Sequence, residues 1–589
     1  MEAKAKSIRF IETEGKIIIP FFQRTYVWDE ENWRDLLDNI FLKPEGHFLG
    51  SIILKQNRVK SGEPKSLEVI DGQQRITTLS ILIKVLYDLF SDEIRRNIDN
   101  IVRNILFYKK QATDNKYYIK IEHSYVDQTA YNKIIYAGFD GNPTIDISQI
   151  SDNSHKIERC YKFFYEVLRG KSENDRKDIF NKLISDSNKM LVVIDIEEGK
   201  DDEQAIFDTL NTTGVRLTTA EIIKNTLFKR LIDLTNREDA IELYKKHWEK
   251  TFLADEETTN YWAKERPTGR LTRDNLEILL HSFAIINGFF DPDKHTLGEL
   301  SKLYKNEINN KNDERSLKNF IIDIVDYAAI YKDKFPDSIN DLEFSFGEYE
   351  KRLFHILNVL EISTFHPLIL YIYKKYEKNN EKIKEIFWDL ERFIILRAIA
   401  QKSTQNYNKN CKEFIENPNL IKDKIETTRE DICSGLKDLK RRNKIATLLL
   451  FWVELYRRYN TNKYDTLSLP YMYTLEHIMP QKWEEYWRDV VIMDPNTGNE
   501  LDYEGGKEIR NNMIYWIGNM ILLRARLNII LRNHSFEKKL NGDGRNKGIK
   551  EYADLSITKE ILKEKIWNEI KIKERTERMC KEIEDIWYN

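Results

Sequence analysis

Apolar residues recur along this chain in two different rhythms, and the change of rhythm divides it. Near the start, Lys16–Pro20, His47–Leu54 and Leu67–Ile70 are short runs rich in Ile and Leu, which predict strands. Between them, Glu30–Ile40 sets Trp33, Leu36, Leu37 and Ile40 three and four apart, on one helical face, and Ile76–Phe90 predicts a second helix. From about residue 236 the spacing is helical almost throughout: Leu276–Leu280 with Phe283 and Ile286, Phe354–Leu357 with Val359 and Leu360, and Ile383, Ile386 and Phe387 with Leu390 and Phe393. Thr258–Arg273 and Gln401–Asn419 are polar and predict loops or short elements. After residue 460 a strand-like run ends at Pro480, an Asn-plus-apolar segment spans Asn519–Leu523, and a helix-like stretch carries Asn528. No internal repeat is evident. The expected fold is α+β, multidomain and predominantly helical, with an N-terminal α/β domain over 1–235, a helical linking region over 236–460 and a C-terminal domain over 461–589.

Composition narrows the class. A chain of 589 residues exceeds what one core supports, and 41% hydrophobic with 32% charged residues suits a folded, soluble protein. No apolar run reaches the roughly 18 residues of a membrane span; Ile445–Leu455 comes nearest and is broken by Thr447 and Glu454. The N-terminus lacks an apolar signal core, and the four cysteines lie far apart without a C-x-x-C pair. Both features lead us to expect a cytoplasmic protein without structural zinc. A net charge of −3 means that any nucleic-acid contact requires basic residues gathered on one face.

Candidate chemistry is concentrated at the two ends. In T-L-E-H-I-M-P-Q, Glu476 and His477 stand side by side, followed later by G-N-M-I-L-L and N-I-I-L-R-N-H-S-F-E-K-K. A one-metal nuclease needs these residue types: a histidine to deprotonate water, a carboxylate and a side-chain oxygen to hold a divalent cation, and an Asn to fix the histidine. A lone histidine after Glu is ordinarily structural; the surrounding words argue otherwise here. At the other end, Asp71-Gly72-Gln73-Gln74-Arg75 joins a strand to a helix start, which makes an anion cradle, although D-G is also a common turn. Gln23 and Arg24, in P-F-F-Q-R-T-Y-V-W, form a second polar insertion, and F-D-T-L-N-T-T-G-V-R-L, with Asn211, a third. No Walker A pattern is present. Tyr26 and Trp28 could stack on a modified base, although strand aromatics are more often core. Lys538 and Lys539 could touch phosphate, although a lysine pair on a helix is more often a solvated face. His281, His355 and His366 sit in apolar helical contexts and read as structural.

The C-terminal words resemble the HNH (ββα-metal) nucleases, and the N-terminal trio resembles a ParB-like domain. Together, in this order from about Ile19 to Lys539, they resemble the GmrSD family of modification-dependent (type IV) restriction proteins, with the layout of SspE and BrxU. The resemblance implies His477 as general base, Glu476 and Asn528 as metal ligands, and Asn519 as the residue restraining the histidine's loop. Asn533 and His534 are rivals for the place of Asn528. Glu476 stands where other HNH enzymes commonly have Asp, and Asn rather than His at the third position favours Mg²⁺ (or Mn²⁺). The stretch from Gln481 to Met513 reads as an insertion, with Asp494–Gly498 as a turn. In the N-terminal domain the resemblance implies binding and hydrolysis of a nucleoside triphosphate (GTP, UTP, ATP or CTP) by Gln23, Arg24, Asp71, Gly72, Gln73, Gln74, Arg75 and Asn211. The implied partners are double-stranded DNA, modified phage DNA foremost, the triphosphate and a homo-oligomer. The expected function is an NTP-responsive, metal-dependent restriction endonuclease; a nucleotide-dependent DNA sensor or adaptor with a weak nuclease, or the same chemistry on RNA, are the alternatives.

Overall fold

A computed structural model describes residues 2–42, 47–57, 65–110, 116–196, 218–268, 271–336, 338, 342–461, 466–485, 487–531 and 533–588. The fold is α+β and mostly helical, and it divides into two compact units, Met1–Tyr244 and Lys245–Asn589. Among the described residues no helix is long and apolar enough to cross a membrane. All four cysteines are unbridged.

The first unit is built on a six-stranded mixed sheet. Its strands are β1 (Glu2–Lys6), β2 (Lys16–Ile18), β3 (Gly50–Gln56), β4 (Ser66–Asp71), β5 (Ile121–Glu122) and β6 (Leu191–Ile196), in the order β1-β6-β3-β4-β2-β5. The β3–β6, β2–β4 and β2–β5 pairs are parallel; β1–β6 and β3–β4 are antiparallel. Its helices include α1 (Glu30–Leu42), α2 (Gln73–Leu89), α3 (Asp92–Leu106), α4 (Tyr125–Tyr136), α5 (Lys156–Arg169), α6 (Glu173–Ile184) and α7 (Thr219–Leu234). On α1, the face expected from the three-and-four spacing, Trp33, Leu36, Leu37 and Ile40, is the buried one. α2 is buried on nearly every side from Ile76 to Leu86 and runs through the middle of the core, facing Ile157, Cys160, Phe164 and Leu168 of α5. Each such side chain contributes about 1.5–3 kcal/mol when fully buried.

The second unit is helical for most of its length. It includes α8 (Asn275–Ile286), α9 (Glu314–Lys334), α10 (Tyr349–Val359), α11 (His366–Lys375), α12 (Asn380–Ile399) and α13 (Asn443–Tyr459). The polar stretch Thr258–Arg273 contains the end of a helix, Glu256–Ala263, and a hairpin of Glu265–Thr268 with Leu271–Asp274, while Gln401–Asn419 contains the helix Tyr407–Glu416. Its C-terminal part holds β7 (Tyr473–His477), the small hairpin β8 (Ile492–Met493) and β9 (Glu500–Leu501), α14 (Tyr503–Met513), β10 (Met520–Arg524), α15 (Ala525–Leu531), α16 (Phe536–Asn541) and α17 (Glu569–Trp587).

Residues 481–513, which read as an insertion, are folded into this region's core. Trp483, Trp487, Ile492 and Met513 pack with Ile478, Ile521, Trp567 and Ile572. The fully buried Arg510 seals the arrangement. It pairs with Glu569 on α17 at 2.5 Å and donates to the carbonyls of Trp487, Val490 and Val491 at 3.0–3.3 Å. The expected turn at Asp494–Gly498 closes the β8–β9 hairpin, with the Gly498 N–H on the Asp494 carbonyl at 2.9 Å.

Candidate functional site

β7 and β10 pair antiparallel, with Glu476 opposite Ile521 and His477 opposite Met520. Strand alternation puts the Thr474 and Glu476 side chains on one face and those of Leu475 and His477 on the other. The chain passes from β10 directly into α15, which lays Asn528 across β7. Its Nδ2 donates to Thr474 Oγ1 at 3.0 Å and to the Leu475 carbonyl at 2.9 Å, leaving Oδ1 as the acceptor end. Of the two rivals, Asn533 sets its amide toward Glu485, and the His534 main-chain carbonyl accepts from Trp487 Nε1 at 2.9 Å.

Asn519 is fully buried and acts as a clamp on the chain just past His477. Its Oδ1 accepts from the Met479 N–H at 2.9 Å and from Trp567 Nε1 at 3.0 Å, and its Nδ2 donates to the carbonyls of Met479 and Ile514 at 2.9 and 3.0 Å. The Ile478 N–H donates to the Asn519 carbonyl at 2.8 Å. Residues 478 and 479 are thereby held from both backbone and side chain.

His477 itself is 8% exposed, and its Nε2 finds no hydrogen-bond partner among the described residues. Burial, reinforced by the Lys539 charge, brings its imidazolium down to about 4, so the ring is neutral at neutral pH. Glu476 is paired with Lys539, whose ammonium also donates to the His477 carbonyl at 2.7 Å. Burial pushes the Glu476 carboxyl above its ordinary value against the pull of Lys539, and burial lowers the Lys539 ammonium. Among the described residues no group of three or more His, Cys, Asp or Glu side chains converges as a metal site. A cation here would rest on Glu476 and the Asn528 oxygen. Both are hard oxygen donors, and the neighbouring residue, His477 at the end of the strand, keeps a buried Nε2 without a hydrogen-bond partner among the described residues.

Two expectations are corrected. Lys539 does not reach toward nucleic acid: it is 0% exposed, because it shares the buried face of α16 with Phe536 and Leu540, while Lys538 next to it is exposed. Tyr26 does not cup a base: it lies in the core, with its hydroxyl bonded to Thr78 and accepting from Trp33 Nε1 at 2.9 Å. Trp28 is half-buried against the same core.

In the first unit, Gly72 has φ of +90° and turns β4 straight into α2; a Cβ there would lie 2.9 Å from the Ser51 carbonyl oxygen. Gln74 spends its amide on the 25–28 loop, donating to the Thr25 carbonyl at 3.1 Å and accepting from the N–H groups of Val27 and Trp28 at 2.8 and 3.3 Å. Gln23 Nε2 donates to the Val69 carbonyl at 2.8 Å. Arg75 Nη1 donates to the Ser51 carbonyl at 2.6 Å, and its guanidinium fills the space over Gly50, where a Cβ would fall 2.3 Å from Cζ. Burial lowers the Arg75 pKa against the opposing charge of Asp71. Gln73 Oε1 is buried without a hydrogen-bond partner among the described residues. Asn211 and its segment lie outside the described residues.

Lys224, on α7, was not singled out from sequence. It occupies the buried stripe of that helix with Ala220, Ile223, Leu227 and Phe228, and a cation on an apolar face is the signal that would have found it. Burial lowers its ammonium to about 8; Glu221 opposes this, and the charge of Arg24 adds to it. Asn225, next along α7, bonds the Phe22 carbonyl at 3.0 Å, which staples the helix to the Gln23–Arg24 segment. Lys224 thus lies within electrostatic reach of Arg24, and Arg75 stands in the first turn of α2.

Comparison with known proteins agrees with this division. Residues 7–228 match the GmrSD restriction endonuclease N-terminal domain, and residues 422–582 match the GmrSD restriction endonuclease C-terminal domain. The chain belongs to the GmrSD restriction endonuclease family. It is also 23% identical over 248 residues to an uncharacterized protein of Methanocaldococcus jannaschii, a match covering 37% of this chain and 40% of that protein. The matched part is thus less than half of that relative's length.

Proposed function

We propose that this protein is a DNA endonuclease of phage defence, acting in the cytoplasm on modified foreign double-stranded DNA. In this reading the C-terminal region is an HNH (ββα-metal) nuclease and the N-terminal unit a ParB-like domain that binds and turns over a nucleoside triphosphate. Family membership supports the endonuclease. The observation that carries the chemistry is the buried, unpartnered Nε2 of His477 at the end of a strand that also bears Glu476 and is crossed by Asn528.

His477, neutral at neutral pH, accepts the proton of the attacking water at Nε2. Asn519 keeps the chain beyond the histidine from shifting during that transfer. Glu476 and Asn528 Oδ1 would hold Mg²⁺ or Mn²⁺, which when bound supplies positive charge for the phosphorane and the leaving oxygen. In the N-terminal unit Arg24, Arg75 and Lys224 would neutralise phosphates at the start of α2, with Asp71 beside them to orient water or a metal ion.

The test is cleavage of plain and modified phage DNA with Mg²⁺, with and without each NTP, by wild type and His477→Ala. Cleavage lost in the variant and altered by NTP and by modification supports the reading. Equal cleavage by both proteins removes the nuclease assignment.

A further inference from the structure

α16 is short and amphipathic, and the residue it buries between Phe536 and Leu540 is a lysine. Lys539 has no exposed surface, so its ammonium is not available to DNA or to solvent. A buried ammonium persists where its N–H groups are paired, and this one has partners on two consecutive residues of β7: the Glu476 carboxylate through Oε1, and the His477 main-chain carbonyl at 2.7 Å. One cation therefore fixes both the direction of the Glu476 side chain and the backbone from which His477 projects.

The pairing is one-sided. Only Oε1 of Glu476 bonds Lys539, and the Glu476 side chain keeps 12% of its surface exposed while that of Lys539 keeps none. Lys539 thus engages one oxygen of the carboxylate, and what exposed surface the pair keeps belongs to the Glu476 side chain.

We infer that Lys539 is a positioning residue of the nuclease site, holding Glu476 by one oxygen so that the other is presented to a divalent cation. The inference rests on the reading of Glu476 as a metal ligand. It is tested by Mn²⁺ titration of the full chain, following the loss of the free-ion signal by electron paramagnetic resonance. The proteins compared are wild type, Glu476→Gln, Lys539→Met, Lys539→Gln and Lys539→Arg. We expect Mn²⁺ binding that Glu476→Gln abolishes and that Lys539→Met and Lys539→Gln weaken by about 10–100-fold, the usual range for losing a group that orients a ligand. Lys539→Arg, which keeps the charge, recovers most of the affinity. Should Lys539→Met lose its circular dichroism, Lys539→Gln, which still donates N–H bonds, carries the comparison. Glu476-dependent binding that stays unchanged or tightens without the lysine overturns this inference and leaves the nuclease standing. Binding indifferent to Glu476→Gln overturns the nuclease reading itself.

Discussion

Each unit buries a lysine on the apolar face of a helix next to its candidate site, and the two lysines meet opposite surroundings. Lys539 faces a carboxylate and a carbonyl, so its charge is answered within the fold. Lys224 feels Glu221 on its own helix but also the like charge of Arg24, which lowers its pKa further. A cation answered by a carboxylate orients that carboxylate; cations gathered with one another favour an anion from outside. In the proposed reading the same residue type thus positions a metal-binding carboxylate in one unit and favours an anionic ligand in the other.

His477→Ala gives the largest expected effect: a fall of about 10²–10⁴-fold in DNA cleavage, the range for loss of a general base, with thermal stability nearly unchanged. Retained cleavage would erase the contrast between the units. Asn519→Ala should destabilise the second unit by about 3 kcal/mol, because it strands the buried Met479 N–H and the Ile514 carbonyl; a calorimetric shift in that unit's transition measures it. A comparable effect in the first unit comes from acid. His123 is buried against Tyr131, and burial holds its pKa at about 4, below the unfolded 6.5. The neutral ring contributes stability that is fully present above pH 6.5 and is lost as pH falls toward 4, amounting to about 3 kcal/mol. Denaturant titrations of wild type and His123→Phe across that range should diverge by this amount, and parallel curves would refute it. The smallest effect separates the roles within the N-terminal cradle. Lys224→Met should weaken NTP binding about tenfold, or ~1.4 kcal/mol, without lowering the melting temperature. Gln74→Leu should lower that temperature first, since its amide holds the 25–28 loop. Equal behaviour of the two variants in calorimetry and nucleotide titration would dissolve the distinction.

Much of the scaffold was legible in the sequence. The buried face of α1, the strand-to-helix step at Gly72 and the turn at Asp494–Gly498 all follow from local spacing and turn chemistry. The site was legible as words, Glu476 beside His477 and Asn519 ahead of a strand, but not as contacts. Nothing local says that Gln74 bonds the loop around Val27, 47 residues away in sequence, or that Asn519 clamps Met479 across 40 residues. Whether Tyr26 faces a ligand or the core is not local either, since it depends on what packs over it, here Thr78 and Trp33.

The amino-acid order alone settled the period of each segment, the residue types available for phosphate chemistry at the two ends, and the family to which those words point, because these depend on neighbours within a few positions. Tertiary structure decided which polar groups are consumed by the fold and which remain for chemistry. Lys538 and Lys539 are adjacent in sequence, yet one is exposed and the other buried and paired with Glu476. That difference comes from the rotation of α16 against β7, and a buried charge takes its meaning from the partner that the rotation brings to it.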